Sequence, residues 1–193
     1  MSAIEWIAAA FGVVSVWLSV RENVWSWPTA IVNTALYVLV FRNAKLYADM
    51  GLQVIYIAIS LYGWYHWLHG GTGHGELRVS RIRRRELLYL PVLAVAGTLT
   101  LATLLSRYTD ATLPYLDSAL TVCSLIAQWL MTRKILENWM LWIALDVAYV
   151  GLFIHRALYP TALLYAVFLV LAVMGHVQWT RSYRAHSEPG LAS

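Results

Sequence analysis

Charged side chains are scarce in this chain of 193 residues: only 12% are Asp, Glu, Lys or Arg, whereas 60% are hydrophobic. Soluble domains carry about 25% charged residues, so this scarcity excludes an ordinary soluble domain and predicts a protein of the lipid bilayer. Tryptophan and tyrosine are abundant instead, with 10 and 12 residues, as expected where aromatic side chains meet lipid headgroups. The net charge of +4 does not indicate nucleic-acid binding, because the basic residues lie where a membrane protein needs them.

Cysteine is almost absent as well, and this absence limits the chemistry. The single Cys123 excludes an internal disulfide and a cysteine zinc cluster. We interpret "HWLHGGTGH", which contains His66, His69 and His74, as a loop rather than a metal site. No paired acids and no nucleophile with a base are apparent, so the sequence predicts neither an enzyme nor a cofactor. A cleavable signal peptide is not expected either, because no basic region precedes the first apolar run.

Long apolar runs predict seven membrane-spanning helices. A helix needs about 20 predominantly apolar residues to cross the hydrocarbon core, and runs this long cannot be barrel strands. The spans are predicted at 3–20, 24–41, 50–68, 87–105, 113–132, 138–155 and 158–179. Prolines 28, 91, 114 and 160 fall in or near predicted first turns, where a missing N–H costs least. The predicted fold class is therefore an all-α membrane protein with seven transmembrane helices.

The distribution of the 14 basic residues predicts the orientation of these spans, since cytoplasmic loops of membrane proteins are enriched in Lys and Arg. One side collects Arg21, Arg78, Arg81, Arg83, Arg84, Arg85, Arg133, Lys134, Arg181 and Arg184. The other side holds Arg42, Lys45, Arg107 and Arg156. We therefore expect the C-terminus and the "RVSRIRRRE" segment in the cytoplasm and the N-terminus outside.

The sequence repeats itself at an offset of 112 positions without a gap. The aligned identities include three tryptophan pairs, Trp17/Trp129, Trp27/Trp139 and Trp67/Trp179, and two further aromatic pairs, Tyr37/Tyr149 and Phe41/Phe153. Because the offset covers four spans, an even number, both copies have the same orientation. The sequence therefore predicts a parallel arrangement of three helices, one connecting helix and three helices, a known plan of transporters with the substrate between the halves.

This repeat sets the predicted domain boundaries. Residues 1–68 form the first three-helix repeat, 69–86 a basic cytoplasmic linker and 87–108 the connecting helix. Residues 109–180 form the second repeat, and 181–193 are interpreted as an unstructured cytoplasmic tail.

Polar residues inside predicted spans are the candidate functional residues, because polar groups are costly in lipid. Trp139, Trp142 and Asp146 fall on one helical face of the sixth span at i, i+3 and i+7. Asn33 lies at the centre of the second span, next to Thr34, the repeat partner of Asp146. Two further polar stripes at helical spacing are Asp49, Gln53, Tyr56 and Ser60 in the third span and Asp117, Thr121, Ser124 and Gln128 in the fifth. These faces are expected to converge.

Each of these residues also has a purely structural interpretation. Ser60, Thr121 and Ser124 are of a kind that more often joins helices than contacts a ligand. Tryptophans near span ends are by default interfacial anchors, which applies to Trp25, Trp27, Trp67, Trp139 and Trp179. Asp49 and Asp117 lie near the outer surface and are open to a solvated interpretation, and Tyr37 and Tyr149 to one of symmetric packing.

Three segments resemble the PnuC family of bacterial nicotinamide riboside transporters: "ENWMLWIALDVAYVGLF", "YPTALLYAVFLVLAVMGH" and "NTALYVLVFRNAKLYADMGLQVIYIAISLYGWYHW". The resemblance extends over residues 3–180 and implies the same three-plus-one-plus-three fold, similar to that of SWEET sugar transporters. It implies facilitated diffusion, a homotrimer in the bacterial inner membrane, and a cytoplasmic kinase that traps the vitamin for NAD biosynthesis. Thiamine, or less readily riboflavin, is the alternative substrate.

The resemblance and the polar faces together give the candidate substrate-binding residues, with no metal and no cofactor among them. They are Trp139, Trp142, Asp146, Asn138, Gln53, Asn33, Tyr37, Tyr56 and Gln128. An intramembrane enzyme and a membrane sensor or accessory subunit are the competing hypotheses, and neither of them predicts saturable vitamin flux.

Overall fold

The computed structural model describes residues 3–43, 47–109 and 113–187, and these residues form seven long helices. The helices are α1 (Ala3–Val20), α2 (Ser26–Asn43), α3 (Tyr47–His69), α4 (Arg84–Tyr108), α5 (Pro114–Thr132), α6 (Asn138–His155) and α7 (Tyr159–Ser187), with a 3-10 turn at Thr72–His74. The described part of the chain has no strand beyond one isolated bridge between Ser80 and Ile135. The all-helical prediction is therefore confirmed.

The helices differ in how apolar they are. Within the described residues, α1, α4, α6 and α7 are long and apolar enough to cross a membrane by length and composition. The other three long helices, α2, α3 and α5, contain no equally apolar stretch within the described residues, because polar side chains such as Asn33, Gln53 and Thr121 interrupt them. Such polar residues are tolerated at membrane depth where they face the interior of a bundle or a cavity.

Several boundaries differ from the sequence-based expectations. Pro91 lies inside α4 rather than in its first turn, because α4 begins at Arg84 in the predicted linker. The loop interpretation is wrong for His66 and His69, which lie in the last turn of α3. The expectation of an unstructured tail is wrong up to Ser187, since α7 continues that far, and residues 188–193 lie outside the described residues.

The early start of α4 has a local cause. The Glu86 carboxylate accepts a hydrogen bond from the Arg83 backbone N–H at 2.9 Å, which satisfies a donor that the helix leaves unpaired. Glu86 also forms an ion pair with Arg133 at the end of α5. The basic linker is thereby fixed to the second repeat.

The repeat found in the sequence is reproduced by the helix boundaries. Both ends of α2, shifted by 112 positions, coincide with the ends of α6, and the first residue of α3 maps onto the first residue of α7. The last residue of α1 maps in the same way onto the last residue of α5. The predicted three-plus-one-plus-three arrangement is therefore confirmed at the level of single residues.

The two repeats meet through equivalent helix pairs. α1 packs against α7, and its repeat equivalent α5 packs against α3, while α4 packs against α5. We call the end of the bundle that holds the α1–α2 turn, the α5–α6 turn and the linker the basic end. The other end holds the N-terminus of α1 and the last turns of α2 and α6.

Four buried tryptophans join the repeats at the basic end, and we call Trp27, Trp67, Trp139 and Trp179 the tryptophan cluster. None of them is more than 2% exposed. Trp27 meets Trp67 edge to face at 5.3 Å between ring centroids, and Trp139 meets Trp179 in the same way at 5.3 Å. The interpretation of these four residues as interfacial anchors is wrong, whereas Trp25, 63% exposed, fits it.

Glycines make room for two indoles of the cluster. A Cβ atom added at Gly63 would overlap the Trp27 ring, and one at Gly175 would overlap the Trp139 ring. Gly63 and Gly175 are repeat partners, as are the two tryptophans. Close packing of an indole on a helix backbone thus explains why the repeat has glycine at positions 63 and 175 and tryptophan at positions 27 and 139.

We expect Gly63→Ala and Gly175→Ala each to lower the free energy of unfolding by about 1–3 kcal/mol, because a methyl group at either position overpacks an indole. Thermal unfolding in detergent measures the effect. Gly51→Ala, on the same helix as Gly63, is the matched control, since no atom lies within 4 Å of its added Cβ. Equal unfolding temperatures for all three variants would contradict the packing account.

Candidate functional site

A cavity of about 640 Å³ lies between the two repeats, which is within the usual size range of small-molecule sites. Every long helix except α4 contributes to its wall. The less apolar helices α2, α3 and α5 contribute polar residues, and their lining residues include Ser26, Asn33, Thr34, Tyr37, Gln53, Tyr56, Ser60, Thr121, Ser124 and Gln128. The polar stripes of the sequence therefore converge on one cavity, as expected.

Most of the candidate site residues line this cavity. They are Trp139, Trp142, Asp146, Gln53, Asn33, Tyr37, Tyr56 and Gln128. Asn138 is not among the lining residues: it is fully buried, and its side-chain amide donates a hydrogen bond to the Ile135 carbonyl at 2.7 Å. Asp49 and Asp117 also lie away from the cavity wall.

The stripe of α6 has different surroundings at its two ends. Trp139 is 1% exposed and packs on Trp179, so it belongs both to the tryptophan cluster and to the cavity wall. Trp142 is only partly buried, and Asp146, one turn farther along, is 4% exposed. Packing therefore explains Trp139 without a ligand, whereas Trp142 and Asp146 present a ring and a carboxylate at the cavity.

The charges on the cavity wall are of one sign. Asp146 and Glu5 contribute carboxylates, and no Lys, Arg or His belongs to the wall in the described ranges. An acidic, largely apolar cavity favours a cationic or neutral ligand over an anion, because like charges repel strongly at low dielectric.

Aromatic side chains line the cavity toward the end opposite the basic end. Tyr149 lies 4.7 Å from Tyr165 between ring centroids, and both rings contact Phe153. In the first repeat, Tyr37 stacks on Phe41 at 5.8 Å, as their repeat partners Tyr149 and Phe153 do. Flat aromatic rings on several sides provide stacking surfaces for a planar ligand.

Polar atoms lie unpaired near the tryptophan cluster. Among the described residues, the Nε1–H groups of Trp27 and Trp139 are buried without a protein partner, as is the Ser26 hydroxyl. All three residues line the cavity. Asn33 is different, since its side-chain amide already donates to the Ala8 carbonyl at 2.6 Å. Buried donors and acceptors without partners commonly bind water or ligand.

The wall residues that sequence reasoning missed include Glu5, Trp27 and Tyr165. The internal repeat carried a signal for two of them, since Trp27 is the repeat partner of Trp139 and Tyr165 that of Gln53. Glu5 lies near the start of a span, where sequence alone gives no reason to expect it at a cavity.

A family described as nicotinamide mononucleotide transporter matches residues 2–181 of this chain. The chain belongs to this family. The nicotinamide riboside transporter PnuC of Escherichia coli K12 is 27% identical over 217 residues, which cover 100% of this chain and 91% of that protein. PnuC of Neisseria mucosa is 26% identical and covers 94% of this chain and 73% of its own length.

A relative with another substrate and a solved structure complete the comparison. The riboflavin/roseoflavin transporter RibM of Streptomyces davaonensis is 24% identical over 190 residues, covering 97% of this chain and 89% of RibM. A crystal structure of the vitamin B3 transporter PnuC superposes with a TM-score of 0.76 at 25% identity, covering 95% of this chain and 83% of that one. The resemblance seen in the sequence is therefore confirmed, and the protein is a multi-pass membrane transporter rather than an enzyme.

Proposed function

We propose that this protein carries nicotinamide riboside across the bacterial inner membrane by facilitated diffusion, and that a cytoplasmic kinase then traps the riboside by phosphorylation. The observation that carries the proposal is the Asp146 carboxylate on a cavity wall that holds no basic residue in the described ranges. Nicotinamide riboside is a pyridinium cation, so it supplies the charge that this wall lacks.

The wall also offers a stacking surface and hydrogen-bonding groups for this ligand. A pyridinium ring stacked on a tryptophan face gains about 0.5–2 kcal/mol from a cation–π contact, and Trp142 is the partly buried indole nearest along the helix to Asp146. The ribose hydroxyls need hydrogen-bonding partners, and amides from both repeats, Gln53 and Gln128, lie on the same wall.

Two features support diffusion without ion coupling. The described segments of all seven helices run without interruption, whereas ion-coupled transporters often contain broken helices at the coupling site. Asp146 is the one carboxylate at the middle of a span on the cavity wall, so no chain of acids is present for proton relay within the described residues.

The basic residues support the proposed orientation. Arg78, Arg83, Arg84 and Arg85 are exposed at the basic end, beside the α4 N-terminus. Since Lys and Arg are enriched in cytoplasmic loops, this end faces the cytoplasm and the N-terminus lies outside. We also propose that the protein forms the homotrimer that the family resemblance implies.

Purified protein in liposomes tests the proposal. We expect saturable entry of labelled nicotinamide riboside, ending when the inner and outer concentrations are equal. An imposed pH or sodium gradient is expected to leave that end point unchanged. Accumulation several-fold above the outside concentration, in vesicles without kinase, would contradict facilitated diffusion.

Competition in the same vesicles tests the substrate. Excess unlabelled nicotinamide riboside should abolish labelled uptake. Thiamine is also a cationic aromatic molecule, whereas riboflavin is neutral, although the relative RibM is named as its transporter. Stronger competition by riboflavin than by the riboside would replace the proposed substrate with riboflavin, and stronger competition by thiamine would replace it with thiamine.

A further inference from the structure

At the basic end, an ion pair joins two residues that are partners in the internal repeat. Lys134 Nζ lies 3.2 Å from Glu22 Oε2, and the two positions are 112 residues apart, the repeat offset itself. Both side chains are largely buried, with 7% of Lys134 and 21% of Glu22 exposed. The Lys134 ammonium also lies over the Trp67 ring, 4.6 Å from its centroid. The contact therefore lies where the two repeats meet.

The backbone at both positions is unusual in the same way. Glu22 has φ 55° and Lys134 has φ 48°, the left-handed region that favours glycine. Each N–H bonds back to a carbonyl three residues earlier at 3.0 Å, which is how many helices end with a glycine. A residue with a side chain costs about 1–2 kcal/mol more than glycine there, so the backbone conformation does not explain why these positions hold Glu22 and Lys134.

The hydrogen bonds of the tryptophan cluster cross the same boundary. Trp67 of the first repeat donates its Nε1–H to the Met131 carbonyl at 3.0 Å, and Trp179 of the second donates to the Ser19 carbonyl at 3.0 Å. Ser19 and Met131 are themselves repeat partners, three residues before Glu22 and Lys134. The two bonds are thus equivalent, and they fasten α3 to α5 and α7 to α1.

The cavity is closed at the end where these contacts lie. Trp27, Met131 and Trp139 belong to the cavity wall and are 2%, 6% and 1% exposed. Wall residues at the other end, such as Glu5 and Phe41, are partly exposed. A transporter must release its ligand on both sides, so a path through the basic end must open during each cycle.

We propose that the Glu22–Lys134 ion pair and the two crossed tryptophan hydrogen bonds form a gate at the basic end, which parts along the boundary between the repeats to release substrate. This proposal depends on the protein being a transporter, but it does not depend on which vitamin is transported. Under the proposed orientation, it is the cytoplasmic gate.

Thiol labelling of a residue behind the gate tests this proposal without any substrate. Ser26 is 1% exposed, and a cysteine there differs little in size. In a Cys123→Ser, Ser26→Cys background, we expect a membrane-impermeant maleimide to react slowly from the basic end. Glu22→Gln or Lys134→Gln should accelerate that reaction at least tenfold, because each leaves a buried charge without its partner.

The charge-swapped variant Glu22→Lys/Lys134→Glu is the decisive control. Because the two positions have equivalent backbones, the swap rebuilds the pair, and we expect slow labelling to return. If the substitutions merely destabilised the protein, the swapped variant would also be labelled faster, and that result would overturn the gate. Labelling of both single variants at the parental rate would overturn it as well. Vesicles of either orientation show which side the reagent enters from, so an error in the proposed orientation is distinguishable from the absence of a gate.

Discussion

Asp146→Asn is expected to weaken binding of nicotinamide riboside at least tenfold, with the protein still inserted and folded. The substitution removes one charge and almost no volume. Asp146 is 4% exposed, so solvent screens its interaction with a bound cation poorly, and a tenfold loss corresponds to about 1.4 kcal/mol. Calorimetry on the purified protein measures the affinity directly.

Trp142→Ala tests the stacking surface beside this carboxylate. Stacking of a base on an aromatic ring is worth about 1–3 kcal/mol, so the loss of affinity should be about 5- to 150-fold. Asp117→Asn and Trp25→Ala are matched controls, because neither residue lines the cavity. If the Asp146 and Trp142 variants bound the riboside as tightly as the controls do, the α6 stripe would serve packing alone.

Nicotinamide mononucleotide is expected to bind at least tenfold more weakly than the riboside, despite the name of the family. The mononucleotide adds a phosphate, and the described cavity wall offers it the Asp146 carboxylate and no Lys, Arg or His. A buried anion without a counter-charge is strongly unfavourable. Neutral nicotinamide should also bind weakly, because it lacks both the positive charge of the pyridinium ring and the ribose.

A variant that introduces the missing cation sharpens this second test. Gln128→Lys places an ammonium on the cavity wall, and we expect it to raise mononucleotide affinity relative to that of the riboside. Calorimetry with both ligands on parent and variant gives the ratio. Equal affinities of the parent protein for the two ligands would show that the acidic wall does not select the charge of the substrate.

The sequence predicted the helices and the lining of the cavity wherever residues follow a regular pattern, either the helical spacing or the internal repeat. Helix positions followed from long apolar runs, and the offset of 112 predicted which helices are equivalent. The polar stripes reached the same cavity because helical spacing alone places their members on one face.

Sequence reasoning failed where contacts between different helices determine whether a residue is buried in the core or lines the cavity. Trp27, Trp67 and Trp179 look like interfacial anchors by position, and only the glycines and carbonyls of other helices turn them into core residues. Asn138 is a polar residue of the kind that binds ligands, but it does not line the cavity, and its side-chain NH2 group donates to the Ile135 carbonyl in the preceding turn. Glu5 could not be recognised, because no local pattern shows that the start of α1 borders the cavity.

The equivalence of Glu22 and Lys134 has a consequence for the origin of the fold. Two separate copies of one three-helix unit, paired about the same axis, would bring identical side chains together there: two glutamates or two lysines, which repel. Opposite charges at equivalent positions require two units of different sequence, which a single chain holding both units provides. The same holds for Asp146, whose equivalent is Thr34: a symmetric ancestor would have held two carboxylates or none. The divergence of the two repeats is therefore what allows this cavity one central carboxylate, matching a ligand that carries one positive charge.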